Sequence, residues 1–197
     1  MTQFYFLADG EGLSGDLAAS GVIGVPISDP PSAPSVGYEW VIGSPQAVQV
    51  NGVWQQNWVQ QPVPLAAAQV NALATVAATL AARIAAGFTY NGILVACDDA
   101  AQAKIGRVAQ LAENILAGRS AVTWTSRTWP PFALGNPGVP LPTAQDMVSF
   151  GTAVGDYVAD NEFHAADLTA QIMASTATAT SIAALDLDNS KGTWPTS

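Results

Sequence analysis

Helical periodicity dominates the last third of this sequence. Thr143, followed three residues later by Asp146, is a typical helix start, because the two side chains can bond each other's backbone N–H groups. Bulky side chains then recur at alternating spacings of three and four residues, which places them along one stripe of a helix. The residues of this seam are Met147, Phe150, Val154, Tyr157, Asn161, His164 and Leu168. We predict one long helix from about residue 143 to 180, with a seam on which another helix packs.

Two more helices and a hairpin are predicted upstream. An alanine-rich run starts at Leu65 and keeps helical spacing until Gly87, which is suited to end a helix. A second helix spans about residues 99 to 117, capped by one of the aspartates at its start. The apolar segments between the two helices form a hairpin at residues 88–96, turned by an Asn-Gly pair.

The N-terminal part has the composition of short strands. Strands are predicted at residues 4–8 and 38–43, and residues 47–58 form a hairpin around a second Asn-Gly pair. We therefore predict an α+β fold with two domains. A small antiparallel β unit (residues 1–62) precedes a helical domain (residues 63–197) built from a helix, a β-hairpin, a helix, a Pro-rich loop and the long helix.

The low charge content favours a protein that associates with other proteins. Charged residues make up 11% of the chain, whereas about 25% is usual for soluble domains. A neutral surface loses little hydration energy when it is buried against a partner. The net charge of -9 and the scattered basic residues argue against nucleic acid, because phosphates would be repelled.

Neither a membrane span nor a metal site is expected. The apolar run from Leu65 to Ala82 contains Gln, Asn and Thr and lacks the aromatic or basic flanks of a membrane interface. One cysteine and one histidine provide no cluster of metal ligands. The first ten residues lack the basic and apolar parts of a signal peptide, so we expect synthesis in a reducing cytoplasm.

No pattern predicts catalysis or a bound cofactor, so we expect a non-enzymatic protein. The segment GEGLSG at residues 10–15 has the glycine spacing of a dinucleotide loop, but the glycines and proline that follow leave no room for the required helix. His164 is the only imidazole and lies on the predicted seam. The neighbouring carboxylates Asp98 and Asp99 could be proposed as a catalytic pair, but one of them is better explained as a helix cap.

The best candidates for a partner-binding surface are aromatic residues. Trp124, Trp129 and Phe132 lie on or beside the Pro-rich segment, where exposed indole rings would suit a contact surface. The helix seam is the second candidate, because packing against another chain would make a homo-oligomer. Its residues in this prediction are Met147, Phe150, Val154 and Tyr157.

Several motifs together resemble a known family. The segment GFTYNG after Arg83, the helix start LPTAQDM and the GTWP segment resemble a domain of unknown function at the C-termini of bacteriophage tail proteins. The N-terminal segment NGVWQQNW resembles tail-fibre assembly proteins.

The resemblance implies a non-enzymatic virion protein of the tail, made in the host cytoplasm, that binds the tail fibre or adjacent tail or baseplate proteins. Two alternatives stay open. One is a transient chaperone of tail-fibre assembly. The other is a receptor module that binds or hydrolyses glycans through the tryptophans.

Overall fold

The computed structural model confirms the α+β class. It divides the chain into two compact units, which are described separately below. The described residues are 4–7, 23–30, 33–35, 37–133 and 135–196.

Unit 1 comprises residues 1–69 together with 177–184, and unit 2 comprises residues 70–176 together with 185–197. The assignment of residues 1–62 and 63–197 to separate domains stays a prediction, because a compact unit is defined by its internal contacts, which do not show that it folds independently.

Unit 1 is built on a long antiparallel hairpin. Strand β3 (Tyr38–Val50) pairs with β4 (Val53–Pro62), and the register shifts between Ile42 and Ala47. The predicted turn at Asn51-Gly52 is confirmed, since both residues have positive φ (51° and 82°), as a tight two-residue hairpin requires. The strand predicted at 38–43 is therefore one end of a longer bulged strand.

A second strand pair in unit 1 is parallel and was not predicted. Strand β1 (Phe4–Leu7) pairs with β2 (Ile23–Pro26) in parallel register. Gly24 and Pro26 had suggested only a break at this point, but proline is tolerated at a strand end. The GEGLSG segment lies outside the described residues, so the expectation that it is not a dinucleotide loop stays a prediction.

Helices and short strands alternate in the rest of the chain. Helix α1 is followed by a hairpin, helix α2, a second strand pair and helix α3. The bounds are α1 Leu65–Ala86, β5 Phe88–Tyr90, β6 Ile93–Val95, α2 Asp99–Leu116, β7 Arg127–Trp129, β8 Val139–Leu141 and α3 Ala144–Met173. The helix caps follow the predicted chemistry, because Asp98 accepts from the backbone of Ala101 and Thr143 forms a capping box with Asp146.

Two predictions on this part of the chain were wrong in detail. Helix α3 ends at Met173, because the backbone of Ala174 leaves the helical conformation (ψ 142°). A separate short helix, α4 (Ala179–Ala183), follows, with Thr178 as its cap and its own capping box. The Pro-rich loop was predicted to be irregular, yet it contains β8. Pro140 is compatible with this strand because, among the described strands, β8 pairs with β7 alone and so lies at a sheet edge.

The core of unit 2 forms where α2 and the β5–β6 hairpin pack on α3. Ile105 and Ala112 of α2 are buried in the same cluster as Phe150 and Val154 of α3. The helices approach closely at Gly151, where an added Cβ would lie 2.8 Å from the Cβ of Ala109. A side chain at this position would therefore push the two helices apart.

We predict opposite effects of the same substitution at two glycines of α3. Gly151→Ala lowers the free energy of unfolding by about 1 to 3 kcal/mol, because the added methyl group overlaps Ala109. Gly155→Ala meets no atom within 4 Å and raises the free energy of unfolding by about 0.5 to 1 kcal/mol through helix propensity. Urea unfolding of the two variants measures both. Equal effects would contradict close packing at Gly151.

Candidate functional site

The predicted helix seam is covered by the chain's own elements. Met147 and Phe150 are fully buried, and Val154 and Tyr157 are exposed by only 2% and 7%. Tyr90 packs edge-on against Phe150, with ring centroids 5.2 Å apart. The expectation that this seam binds another chain is corrected: α2 and the β5–β6 hairpin already occupy it.

The three aromatic residues of the predicted loop surface have different surroundings. The indole N–H of Trp124 donates to the carbonyl of Leu141 at 3.2 Å, and the Trp129 ring packs on Phe150 at 5.7 Å. Both tryptophans are half-buried, and together with Met147 they line a small pocket of about 190 Å³. Phe132 is 37% exposed, so it is the most accessible of the three.

A cluster that we call the Arg83 clasp joins the motifs of the family resemblance. The Arg83 guanidinium donates from Nε to the Asn161 side chain at 2.6 Å and from Nη2 to the Pro195 carbonyl. It also lies 5.7 Å from the Trp194 ring centroid, in a cation–π arrangement. The His164 ring packs edge-on against Trp194 at 4.9 Å. Motifs separated by more than 100 residues along the chain thus meet at one guanidinium.

The buried Asp186 carboxylate organises the turn that presents Trp194. It accepts from the backbone N–H and hydroxyl of Thr193 at 2.9 and 2.8 Å and from the Lys191 N–H at 3.0 Å. Desolvation alone would raise the pKa of Asp186, but these hydrogen bonds outweigh it and hold the pKa below its ordinary value. The backbone carbonyl of Asp186 accepts a hydrogen bond from the Trp194 indole N–H at 3.0 Å. The role of Asp186 is therefore structural.

The single thiol is enclosed. Cys97 is fully buried and its sulfur lies 3.1 Å from the Ile84 carbonyl, which accepts its hydrogen bond. Burial, followed by the charge of Asp98, raises the pKa of the Cys97 thiol, so the reactive thiolate is disfavoured. In the part of the chain that the structure describes, no three His, Cys, Asp or Glu residues are grouped to hold a metal ion.

Helix α1 carries an exposed apolar surface that the sequence pattern did not indicate as a partner site. Only Ala72 and Val76 are buried, and among the described residues no other helix or strand packs extensively along it. Val70 is 66% exposed. Exposed small or apolar residues form one stripe, here called the α1 outer face: Val70, Ala74, Ala77, Ala78, Ala81 and Ala85. Periodicity predicted the helix. It could not predict which face is exposed, because exposure depends on how the other elements pack.

The same helix meets the length and composition test for a membrane span. Among the described helices, α1 alone is long and apolar enough to cross a membrane. Its most apolar stretch has a mean hydropathy of 1.5, and 11% of that stretch is buried. Asn71, Thr75 and Thr79 interrupt it. At its C-terminal end, Arg83 is held in the clasp and Ile84 packs on the core of unit 2.

The described parts therefore define an α+β protein with a helical domain closed by the clasp. A family model described as "Domain of unknown function (DUF4376)" matches residues 67–188, and the chain belongs to this family. The match contains Arg83 and the GFTYNG hairpin but stops before Trp194. No curated protein and no solved structure matches the chain.

We predict that loss of the Arg83 guanidinium destabilises unit 2. Arg83→Met removes the hydrogen bonds to Asn161 and Pro195 and lowers the free energy of unfolding by about 2 kcal/mol. Arg107→Met is the matched control, because Arg107 is exposed and donates only within α2; its effect is about 0.5 kcal/mol or less. Urea unfolding distinguishes the two, and equal effects would show that the clasp contributes nothing.

We also predict that Cys97 reacts slowly with thiol reagents in the folded protein, because the thiol is buried and its pKa is raised. At neutral pH we expect a labelling rate at least 100-fold below that of the urea-unfolded chain. This ratio corresponds to about 3 kcal/mol for the local unfolding that exposes the thiol. The absorbance of a chromogenic disulfide reagent measures the rate without background, since the chain has one cysteine. Rapid labelling of the folded protein would contradict this account.

Proposed function

We propose that this chain is a non-enzymatic component of a bacteriophage tail that binds the tail fibre or an adjacent tail protein through the α1 outer face. The observation that carries the proposal is the exposure of this apolar, almost uncharged helix surface. It replaces the seam of α3, which the chain covers itself. The protein is made in the host cytoplasm and then becomes part of the virion.

The chemistry of α1 suits a protein partner. Apolar surface costs about 25 cal/mol per Å² while it faces water, so a long exposed stripe gains free energy when it is covered. The helix has 22 residues and is therefore about 33 Å long. Its only ionisable residue, Arg83, is held in the clasp. Alanine side chains allow a partner helix to approach near the close end of the usual 8 to 10 Å range.

The tail assignment rests on the family resemblance. The GFTYNG hairpin, the LPTAQDM helix start and the GTWP segment resemble a domain of bacteriophage tail proteins. These motifs lie in or beside the elements that form the core of unit 2 and the clasp. The family description names no function, so the tail association is our proposal from these motifs.

Two other roles are compatible with an exposed α1. A tail-fibre assembly chaperone would use the same surface and then leave, so it would be absent from finished particles. Insertion into a membrane would also cover the apolar stripe, but the polar residues along α1 and the engaged Arg83 favour a protein partner.

We predict that charges on the α1 outer face prevent incorporation into the virion. Ala74→Glu with Ala81→Glu places two carboxylates on the stripe, and burying an unpaired charge costs several kcal/mol. We expect at least a tenfold lower copy number relative to the fibre protein in purified particles, measured by quantitative mass spectrometry. Circular dichroism and urea unfolding establish that the variant still folds.

The matched control is Ala103→Glu, which places a carboxylate at an exposed position of α2 and leaves incorporation unchanged. Normal incorporation of the α1 variant would show that α1 is not the binding surface. Absence of the unmodified chain from purified particles would favour the chaperone. Co-flotation of the purified chain with lipid vesicles would favour the membrane.

A further inference from the structure

We propose that unit 1 contains a binding site for a neutral saccharide, in a pocket between the segment after β2 and the β3–β4 hairpin. The pocket is partly open and has a volume of about 530 Å³, within the 300 to 1,000 Å³ usual for small-molecule sites. The lining residues that carry the argument are Asp29, Trp54, Gln55, Gln56, Asn57 and Trp58. This inference is independent of the proposed tail function, because it concerns another surface of the chain.

The hairpin and the segment after β2 hold this pocket together. Gln56 of β4 accepts a hydrogen bond from the backbone N–H of Ser28 at 2.8 Å, which fixes the segment that carries Asp29 beside β4. Val25 and Ala47, at 0% and 1% exposure, belong to the apolar core of the same unit. The pocket is therefore formed by strands that are held in place by this hydrogen bond and by the apolar core of unit 1.

The lining suits a ligand with many hydroxyl groups and no charge. Side-chain amides both donate and accept hydrogen bonds, as sugar hydroxyls do, and three amide side chains line the pocket. Two indole rings provide flat apolar surface for the C–H face of a sugar ring. No Lys or Arg is among the described residues that line the pocket, and the chain has a net charge of -9, so an anionic ligand is disfavoured.

Trp58 gives an independent reason to expect a ligand. Its indole nitrogen is buried, and in the described residues it has no hydrogen-bond partner. Buried donors are normally satisfied, so an unpaired one requires an explanation. Trp124 shows the usual case, since its indole N–H donates to Leu141. Because this nitrogen is closed to solvent in the unliganded fold, a sugar hydroxyl oxygen would accept from it only after a side chain at the pocket wall moves aside.

The test uses the purified full-length chain on an array of neutral and anionic glycans, followed by calorimetric titration of the neutral glycan that binds best. We expect saturable binding of at least one neutral glycan and weaker binding of its sialylated or sulfated counterpart. Trp58→Phe keeps an aromatic ring and removes the N–H, and we expect at least a fivefold loss of affinity. Urea unfolding of the same variant distinguishes a loss of the donor from a loss of packing, because the smaller ring also removes buried contacts.

Trp124→Phe is the matched control. It removes an indole N–H that is internally bonded in unit 2, so it lowers stability and leaves glycan affinity unchanged. If Trp58→Phe fails to fold, Gln55→Ala replaces it, since Gln55 is exposed at the pocket and its loss lowers affinity at least threefold. Absence of binding to every neutral glycan, a preference for anionic glycans, or full affinity in the folded pocket variants would each overturn the proposal.

Discussion

The packing of α3 is the interaction on which unit 2 depends. One stripe of this helix receives α2 at Gly151 and the aromatic residues of the β5–β6 hairpin at Phe150 and Tyr157. One turn further along, Asn161 orients Arg83. A single helix face thus organises the core and the clasp, and no part of the stripe between Met147 and Asn161 is left to bind another protein.

Local signals explain why much of the fold could be predicted. The Asn51-Gly52 turn, the Asp98 cap and the Thr143–Asp146 capping box are each decided by a few neighbouring residues, and the structure confirms all three. Strand β2 was missed because it exists through pairing with β1 across a long connection, and β8 was missed because its proline-rich sequence indicated a loop. The end of α3 was misplaced because the chain leaves the helix at Ala174 and forms a second short helix after Thr178, a break that the alanine-rich sequence does not signal.

The candidate sites were harder to predict for the same reason. Spacing identified the α3 stripe correctly, but it could not distinguish a partner chain from the chain's own α2. Likewise, periodicity identified α1 without revealing that its outer face is exposed. The pocket in unit 1 depends on a hydrogen bond between Ser28 and Gln56, residues whose proximity no sequence pattern indicates. Composition indicated only that the tryptophans, as a class, were candidates for binding a glycan.

The clasp also sets an order of events on a growing chain. Arg83 is synthesised long before Asn161, Trp194 and Pro195, and protein synthesis adds only about 5 to 20 residues per second. The C-terminal end of α1 is therefore synthesised several seconds before the residues that bind Arg83. During this interval the apolar helix exists without its native contacts, so a ribosome-associated factor or an early partner would meet α1 before the rest of unit 2 has closed around Arg83.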